Sequence, residues 1–464
     1  MANKQRTEQI EGLPVVRRNV CGVDLGSETH WVCAPTVDGS AREVTDFGAT
    51  TAELIRMAEW LKERKVASVA MESTGVYWIA PFEILEGQGL EVLLVDTRQL
   101  GRVPGRDKKT DPTDCEWIQR LHSCGLLRGC FRPAEAICML RTLLRDKSNL
   151  VAERGDWVRR MQKSLDQMNV RVHRAVSDVD GVTGMAILRA IAAGEREARK
   201  LAQLRDKRCH KTEEEIAEQL SGHWREDHLF SLKQGLKMYD AIEKQIAEYD
   251  REILQRLEAM QRDDLRGQSP PPLQSKEKAK AIRKRGEEKT RDALYRISGV
   301  DMVAIDGIGV ETVQIVLSEY GFDLSRFPTE KEFIQHLRLA PYSPKTGGKP
   351  IRKKRRQNTA STRVGNALRM AAVAVGHSNT ALGAQYRNTA RRKGAGIAAF
   401  ATARRMAVLI YRLLRWGQQY LDEGVEAFER RYQQNRLLSL IARAKQLGYQ
   451  MIPNTTIAAE GVTG

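Results

Sequence analysis

The sequence predicts a mixed α/β domain followed by a mainly all-α region. Two observations carry that reading. The first ~130 residues alternate short β-rich runs with helical patterns. From Glu135 onward the apolar spacing changes to alternating steps of three, four and seven residues, the signature of long helices.

The elements follow in order. "NVCGVDLG" and "HWVCAPTVDGS" read as two strands, with Asp38-Gly39 as a hairpin turn, and "AREVTDFG" as a third. A helix is expected from Thr51, an N-cap candidate, to Arg64. Strand four covers Val66–Glu72, a helix Val76–Gln88, strand five Leu90–Val95, and a further helix follows Pro112. The order β-β-β-α-β-α-β-α is that of a ribonuclease-H-like mixed sheet with helices on its faces. This domain is expected to span residues 17–133.

Residues 134–266 read as a helical stalk. One apolar seam runs through Ile137, Leu140, Leu144, Val151, Val158, Met161, Leu165, Met168 and Val172. A second runs through Leu232, Leu236, Tyr239, Ile242, Ile246, Tyr249, Ile253, Leu257 and Met260. The pair suggests a long antiparallel coiled-coil hairpin with a helical insertion at its turn, about 177–230. An ordinary helical bundle is the competing reading. The stretch 267–292, with a proline run and then dense charge, reads as a linker. A mainly helical domain, 293–430, follows, and 431–464 looks peripheral. Within that domain "DGIG" separates two helical patterns. Gly307 and Gly309 there offer backbone amides to a phosphate, as in a helix-hairpin-helix.

The chain has 464 residues and a formal charge of +17, with 76 Lys plus Arg against 59 Asp plus Glu. Such a balance favours a polyanionic partner through counterion release. No apolar run approaches the ~20 residues of a membrane span, and the N-terminus lacks the apolar core of a signal peptide. A cytoplasmic protein without a membrane partner is expected. The seven cysteines form no CxxC pair and no zinc spacing, so free thiols are expected.

Four acids stand out against this basic background: Asp24, Glu72, Asp111 and Asp114. In a ribonuclease-H-like sheet, strands one and four are neighbours, so Asp24 and Glu72 would meet. Asp111 and Asp114, three apart, share one helix face. Several carboxylates on rigid supports are what divalent cations between phosphate oxygens require. Each acid also has a plainer reading, as a turn or helix cap or as a first-turn acid favoured by the macrodipole. Cations lie near in sequence. Lys108 and Lys109 precede the last two acids. Eight of the 22 residues in 345–366 are Lys or Arg: Lys345, Lys349, Arg352, Lys353, Lys354, Arg355, Arg356 and Arg363. Arg387, Arg391, Arg392 and Lys393 form another cluster. Trp78, Tyr77 and Trp117 could stack on bases, and His30 and His122 could shuttle protons, but packing accounts for them more simply.

The spacing Asp24, Glu72, Asp111-x-x-Asp114 within "KKTDPTD" resembles the DEDD-type transposases of insertion sequences. Their N-terminal domain is similar to the Holliday-junction resolvase RuvC. "LRLAPYSPKTGGK", "VGNALRMAAVAVGHSNTALGAQYR" and "ATARRMAVLIYRLL" resemble the C-terminal transposase domain of that family. The resemblance covers about residues 18–420, apart from 177–230. It implies a recombinase guided by a bridge RNA that pairs with target and donor double-stranded DNA. It further implies a dimer assembling to a tetramer, strand exchange through a Holliday junction, and Mg2+ (or Mn2+) held by the four acids. The family uses a serine before glycine as a nucleophile that becomes joined to DNA. The matching position here is Thr346, before Gly347; Ser361 and Ser343 are the alternatives. A threonine hydroxyl can attack phosphorus, although β-branching restricts it.

Three rival readings remain. A structure-specific Holliday-junction-type endonuclease would use the same acids with a water nucleophile. "GVDLGSETH" resembles the first phosphate loop of an actin-like ATPase, but no second loop accompanies it. A noncatalytic nucleic-acid scaffold would need only the basic loop and the stalk.

Overall fold

The computed structural model describes residues 13–73, 75–100, 110–341, 345–346, 349–350, 362–417, 434, 437–438 and 440–451. The chain divides into two compact units, Met1–Arg132 and Pro133–Gly464.

The first unit is built on five strands: β1 (Val20–Leu25), β2 (Thr29–Pro35), β3 (Arg42–Gly48), β4 (Ser68–Glu72) and β5 (Glu91–Val95). Their spatial order is β3-β2-β1-β4-β5. β1 and β3 run antiparallel to β2, while β1, β4 and β5 are mutually parallel. This is the order and direction expected of a ribonuclease-H-like sheet. Helices α1 (Thr51–Glu63), α2 (Ile79–Gly87), α3 (Thr97–Leu100) and α4 (Asp111–Ser123) complete the unit.

Alternation along the strands separates two cores. Cys21, Val23, Leu25, Val69, Met71, Val92 and Leu94 pack on one face with Leu54, Met57 and Leu61 of α1 and Phe82 and Leu85 of α2. Ala70, Leu93 and Val95 face Trp117, Ile118 and Leu121 of α4. The same parity puts Gly22, Asp24 and Glu72 on the α4 face.

Local details differ from the sequence reading. The cap of α1 is Thr50, not Thr51; its side chain accepts from Glu53 N. The β2–β3 connection is a six-residue loop rather than a two-residue turn. Asp38 organises it by accepting from Thr36 Oγ1, Ser40 N and Ser40 Oγ, with Gly39 at φ +73°. Those hydrogen bonds hold the Asp38 carboxyl down at about 2. α2 begins three residues later than expected, after Gly75 at φ +54°.

The second unit opens with α5 (Glu135–Gln167), followed by α6 (Val172–Ala175), α7 (Val182–Ala193), α8 (Ala198–Ala202), α9 (Glu213–Leu220) and α10 (Glu226–Ala259). α5 and α10 are paired along their length. Lys147 meets Asp250, Arg154 meets Glu243, and Met161 packs on Gly235. One set of numbers rises as the other falls, so the helices are antiparallel. The apolar seams are buried at Ile137, Leu140, Leu144, Met161 and Leu165, and at seven of the nine positions on α10. Val151 is 39% exposed, so the α5 seam breaks near its middle. α6 to α9 form a cap whose core continues into the helix ends through Met161, Leu165, Leu229 and Leu232.

Beyond the hairpin come α11 (Lys276–Arg285), α12 (Glu288–Ser298), α13 (Val310–Tyr320) and α14 (Glu330–His336). A two-residue pair follows, β6 (Lys345–Thr346) with β7 (Lys349–Pro350), then α15 (Arg363–Val375), α16 (Ala381–Lys393) and α17 (Ala395–Trp416). The stretch read as a linker therefore contains a helix. Ser275 caps α11, Gly286 ends it at φ +69°, and buried Ile282 anchors it. The Lys278 ammonium donates to the carbonyls of Val303 and Ile305 (2.8 Å to the latter). Burial lowers its pKa to about 8. Among the described residues no helix is long and apolar enough to cross a membrane.

Candidate active site

The acids arrive by two routes. Asp24 is the fifth residue of β1 and Glu72 the last of β4. The parallel register aligns Val23 with Met71, so the next pair in register is Asp24 and Glu72. Forty-eight residues apart in sequence, they stand side by side at the carboxyl ends of adjacent strands, both half-buried.

Asp111 and Asp114 come on α4. Thr110 starts the helix: its N–H donates to Thr113 Oγ1 at 3.1 Å, and Pro112 is preset for the first turn. Asp111 is exposed and Asp114 is buried in that turn, where the macrodipole favours negative charge.

The direction of α4 brings the two pairs to one end of the sheet. Gln119 Nε2 donates to Val20 O at 3.2 Å, near the start of β1. His122 Nε2 is 3.0 Å from Ser68 Oγ at the start of β4. The last turns of α4 thus lie at the amino ends of the strands, and its first turn points toward their carboxyl ends. Contact is closest at Gly22, where a Cβ would lie 2.2 Å from Gln119 N and 2.4 Å from Cys115 O. Only glycine permits this approach. Burial pushes the Cys115 thiol far up, with electrostatic coupling to Cys33, Glu116 and Asp24 adding to the effect. Asp24 is therefore within electrostatic reach of the residue next to Asp114.

Carboxylate oxygens are the hard donors that Mg2+ or Mn2+ takes, so the chemistry of this set fits a divalent cation. As the side chains stand, no group of three or more His, Cys, Asp or Glu among the described residues is placed to hold a metal ion. Asp96, half-buried directly after β5, is a further acid at this end of the sheet. The sequence reading missed it, although it ends an apolar run just as Glu72 does. Gly22 was also passed over; an isolated glycine in an apolar strand was its signal.

His122 does not join the acids. It lies at the opposite end of α4, where burial and the nearby Arg17 charge lower its pKa to about 4. His30 is a core residue of β2, buried with Nδ1 lacking a hydrogen-bond partner, and burial lowers its pKa. Trp117 is buried and donates to Leu100 O, and Trp78 packs edge-on against Phe82; Tyr77 is exposed. All seven cysteines are free thiols.

In the second unit, Lys345, Thr346 and Lys349 are placed by backbone only, with Thr346 paired to Lys349. Lys108, Lys109, Ser343, Ser361, Arg352, Lys353, Lys354, Arg355 and Arg356 lie outside the described residues. The segment that includes Thr346 leaves α14 at Leu337 and re-enters α15 at Thr362. Thr362 Oγ1 donates to Leu337 O at 3.2 Å, so its two ends are pinned together. Arg363 is engaged inside the protein. It donates to Leu144 O at 3.1 Å and shares Glu319 with Arg141 and Arg145. Arg387 donates to the carbonyls of Gly376 and Ser378, while Arg391 and Arg392 are exposed in the last turn of α16.

The "DGIG" loop is preceded by a single 3-10 turn, Met302–Ala304, and followed by α13. Gly307, at φ +78°, faces inward: a Cβ there would meet Met406, Val375 and Ala371 O within 3.1 Å. Gly309 caps α13 with open space beside it.

Comparison with known proteins agrees with the acid pattern. Residues 21–170, which include all four acids, match a family model described as a DEDD transposase of the IS110 type. Residues 302–387, which include Thr346, match the transposase IS116/IS110/IS902 family. The chain belongs to this family of insertion-sequence proteins. A curated relative is the insertion element IS116 uncharacterized 44.8 kDa protein of Streptomyces clavuligerus, 25% identical over 158 residues. The match covers 33% of this chain and 40% of that relative. Among solved structures, T. thermophilus RuvC in complex with Holliday junction substrate aligns over 25% of this chain and 100% of its own. The identity is 14% and the TM-score 0.21.

Proposed function

We propose that this protein is a DNA transposase that cuts and rejoins strands by phosphoryl transfer, with Asp24, Glu72, Asp111 and Asp114 as its acidic centre. The reading is supported by the register that puts Asp24 beside Glu72 and by the direction of α4, whose first turn bears Asp111 and Asp114, in a chain of formal charge +17. The four carboxylates would hold Mg2+ or Mn2+. A cation bound there supplies charge neutralisation for the scissile phosphate, the largest requirement of such a reaction. Asp24 and Glu72, on strands, give a support that barely moves. Asp114, buried in a helix turn, orients the third side of the site.

The attacking group in this reading is the Thr346 hydroxyl, with Ser361 and Ser343 as alternatives. Its oxygen forms a bond to phosphorus, its proton passes to solvent or a base, and the bond to a deoxyribose oxygen breaks. The protein stays joined to DNA until a strand end reverses the step through a Holliday junction. Lys345, Lys349 and the run 352–356 hold the backbone beside it, and Gly309 at the start of α13 offers amides to phosphate as a helix-hairpin-helix does. Guidance by a bridge RNA pairing with target and donor DNA, and assembly of dimers into a tetramer, complete the proposal; both rest on the family resemblance.

The test is a strand-transfer assay with Mg2+, the noncoding RNA flanking the gene and matching DNA, resolved on denaturing gels with and without protease. A protease-sensitive DNA adduct that vanishes in Thr346→Ala supports the recombinase and its nucleophile. Cut ends without an adduct would replace it with an endonuclease that uses water. RNA binding without cleavage would leave a scaffold.

A further inference from the structure

The cap at the end of α5 and α10 takes no part in the chemistry proposed above, yet it holds a cleft of about 540 Å³ lined by His173, Arg174, Lys211 and Gln219. Every lining side chain is polar. The walls are joined by hydrogen bonds to main-chain carbonyls. Arg171 N donates to Gln219 O at 2.8 Å, the Lys211 ammonium donates to Arg174 O, and Arg205 donates to Lys211 O at 2.8 Å.

The charge pattern around it is uneven. Several cations nearby are matched to carboxylates: Arg189 with Asp240, Arg205 with Glu213, Arg208 with Asp206 and Arg225 with Asp227. Arg174 and Lys211 make no ion pair among the described residues. Arg171, at the start of α6, donates to the neutral Asn169 side chain and makes no ion pair among the described residues. His173 rests 3.2 Å from the Asp166 carboxylate. Exposed, uncancelled cations on a fixed, open cleft suit a polyanion that passes along the surface. Contacts of this kind to phosphates position a strand without reading its sequence.

We infer that this cleft of the second unit is a further nucleic-acid site, which grips the phosphodiester backbone through Arg174 and Lys211. RNA and DNA share that backbone, and the experiment separates them. Full-length protein is treated with an amine-acetylating reagent, alone or with a stem-loop RNA or a DNA duplex, and acetylation of Lys211 is read by peptide mass spectrometry. Several-fold protection by one of the two assigns the strand; protection by both assigns the shared backbone. In parallel, Arg174→Ala combined with Lys211→Gln should flatten the dependence of log affinity on log salt by roughly one unit per lost phosphate contact. Arg174→Lys keeps the charge and should keep the slope. Unprotected Lys211 with either nucleic acid, together with an unchanged slope, overturns the inference. An Asp114→Asn protein should still show the protection, so failure of the cleft and failure of the acidic centre are read independently.

Discussion

At Gly22 and at Gly235 a helix approaches its neighbour so closely that an added Cβ would collide, yet the collisions differ in kind. At Gly22 the obstacle is main chain, Gln119 N at 2.2 Å and Cys115 O at 2.4 Å. At Gly235 it is the Met161 side chain, Cγ at 2.6 Å, which can rotate away. The sheet unit thus fixes α4, and the two acids on it, by backbone against backbone. The helical hairpin is held by adaptable side chains and by ion pairs such as Arg154 with Glu243. Position is exacting where backbone meets backbone at α4, and forgiving where helices only need to stay paired.

The largest effect expected from testing this contrast is chemical. Asp24→Asn or Asp114→Asn should lower strand cleavage by at least about 100-fold while the thermal midpoint stays near that of the parent protein. Cleavage close to the parent rate in both variants would detach the acids from the reaction. Next comes Gly22→Ala, expected to cost about 1–3 kcal/mol or more in urea unfolding, because backbone must shift. Cleavage should fall with it, since α4 carries Asp111 and Asp114. Gly235→Ala should lie within about 1 kcal/mol of the parent. The gain in helix propensity, about 1 kcal/mol, offsets the repacking of Met161, and cleavage should persist. Equal losses at the two glycines would erase the distinction.

The smallest effect concerns the far end of α4. His122 titrates near 4 in the folded protein against an ordinary value of 6.5. Between those values the unfolded chain binds more protons. Its share of stability is therefore complete above pH 6.5 and is lost as pH falls toward 4. His122→Gln should make the acid limb of a stability–pH curve shallower without altering cleavage at neutral pH. An unchanged limb would mean that burial does not hold His122 neutral in solution.

Much of the sheet unit was legible because alternation fixes which side chains share a face. Val23, Met71 and Leu94 declared one core, and Asp24 and Glu72 fell to the other side by parity alone. The long helices were legible through Leu140, Leu165, Leu236 and Ile253. α11 was not. "KEKAKAIRKR" offers a single buried apolar anchor, Ile282, and the half-buried Lys278 reads in sequence as solvated charge. The distribution of cations was also hidden. Arg363 and Arg387 look alike in a basic sequence, but their carbonyl partners at Leu144, Gly376 and Ser378 come from other elements or from a chain reversal. The cleft at Arg174 and Lys211 joins residues that no local pattern links.

Because α5 and α10 run antiparallel over some 33 residues, about 50 Å of helix, the chain that departs toward the cap returns beside its point of departure. Whatever is inserted there, the far ends of the two helices keep their register. Such a tip is a place where a lineage can enlarge, trim or exchange a module while the remaining geometry is inherited unchanged.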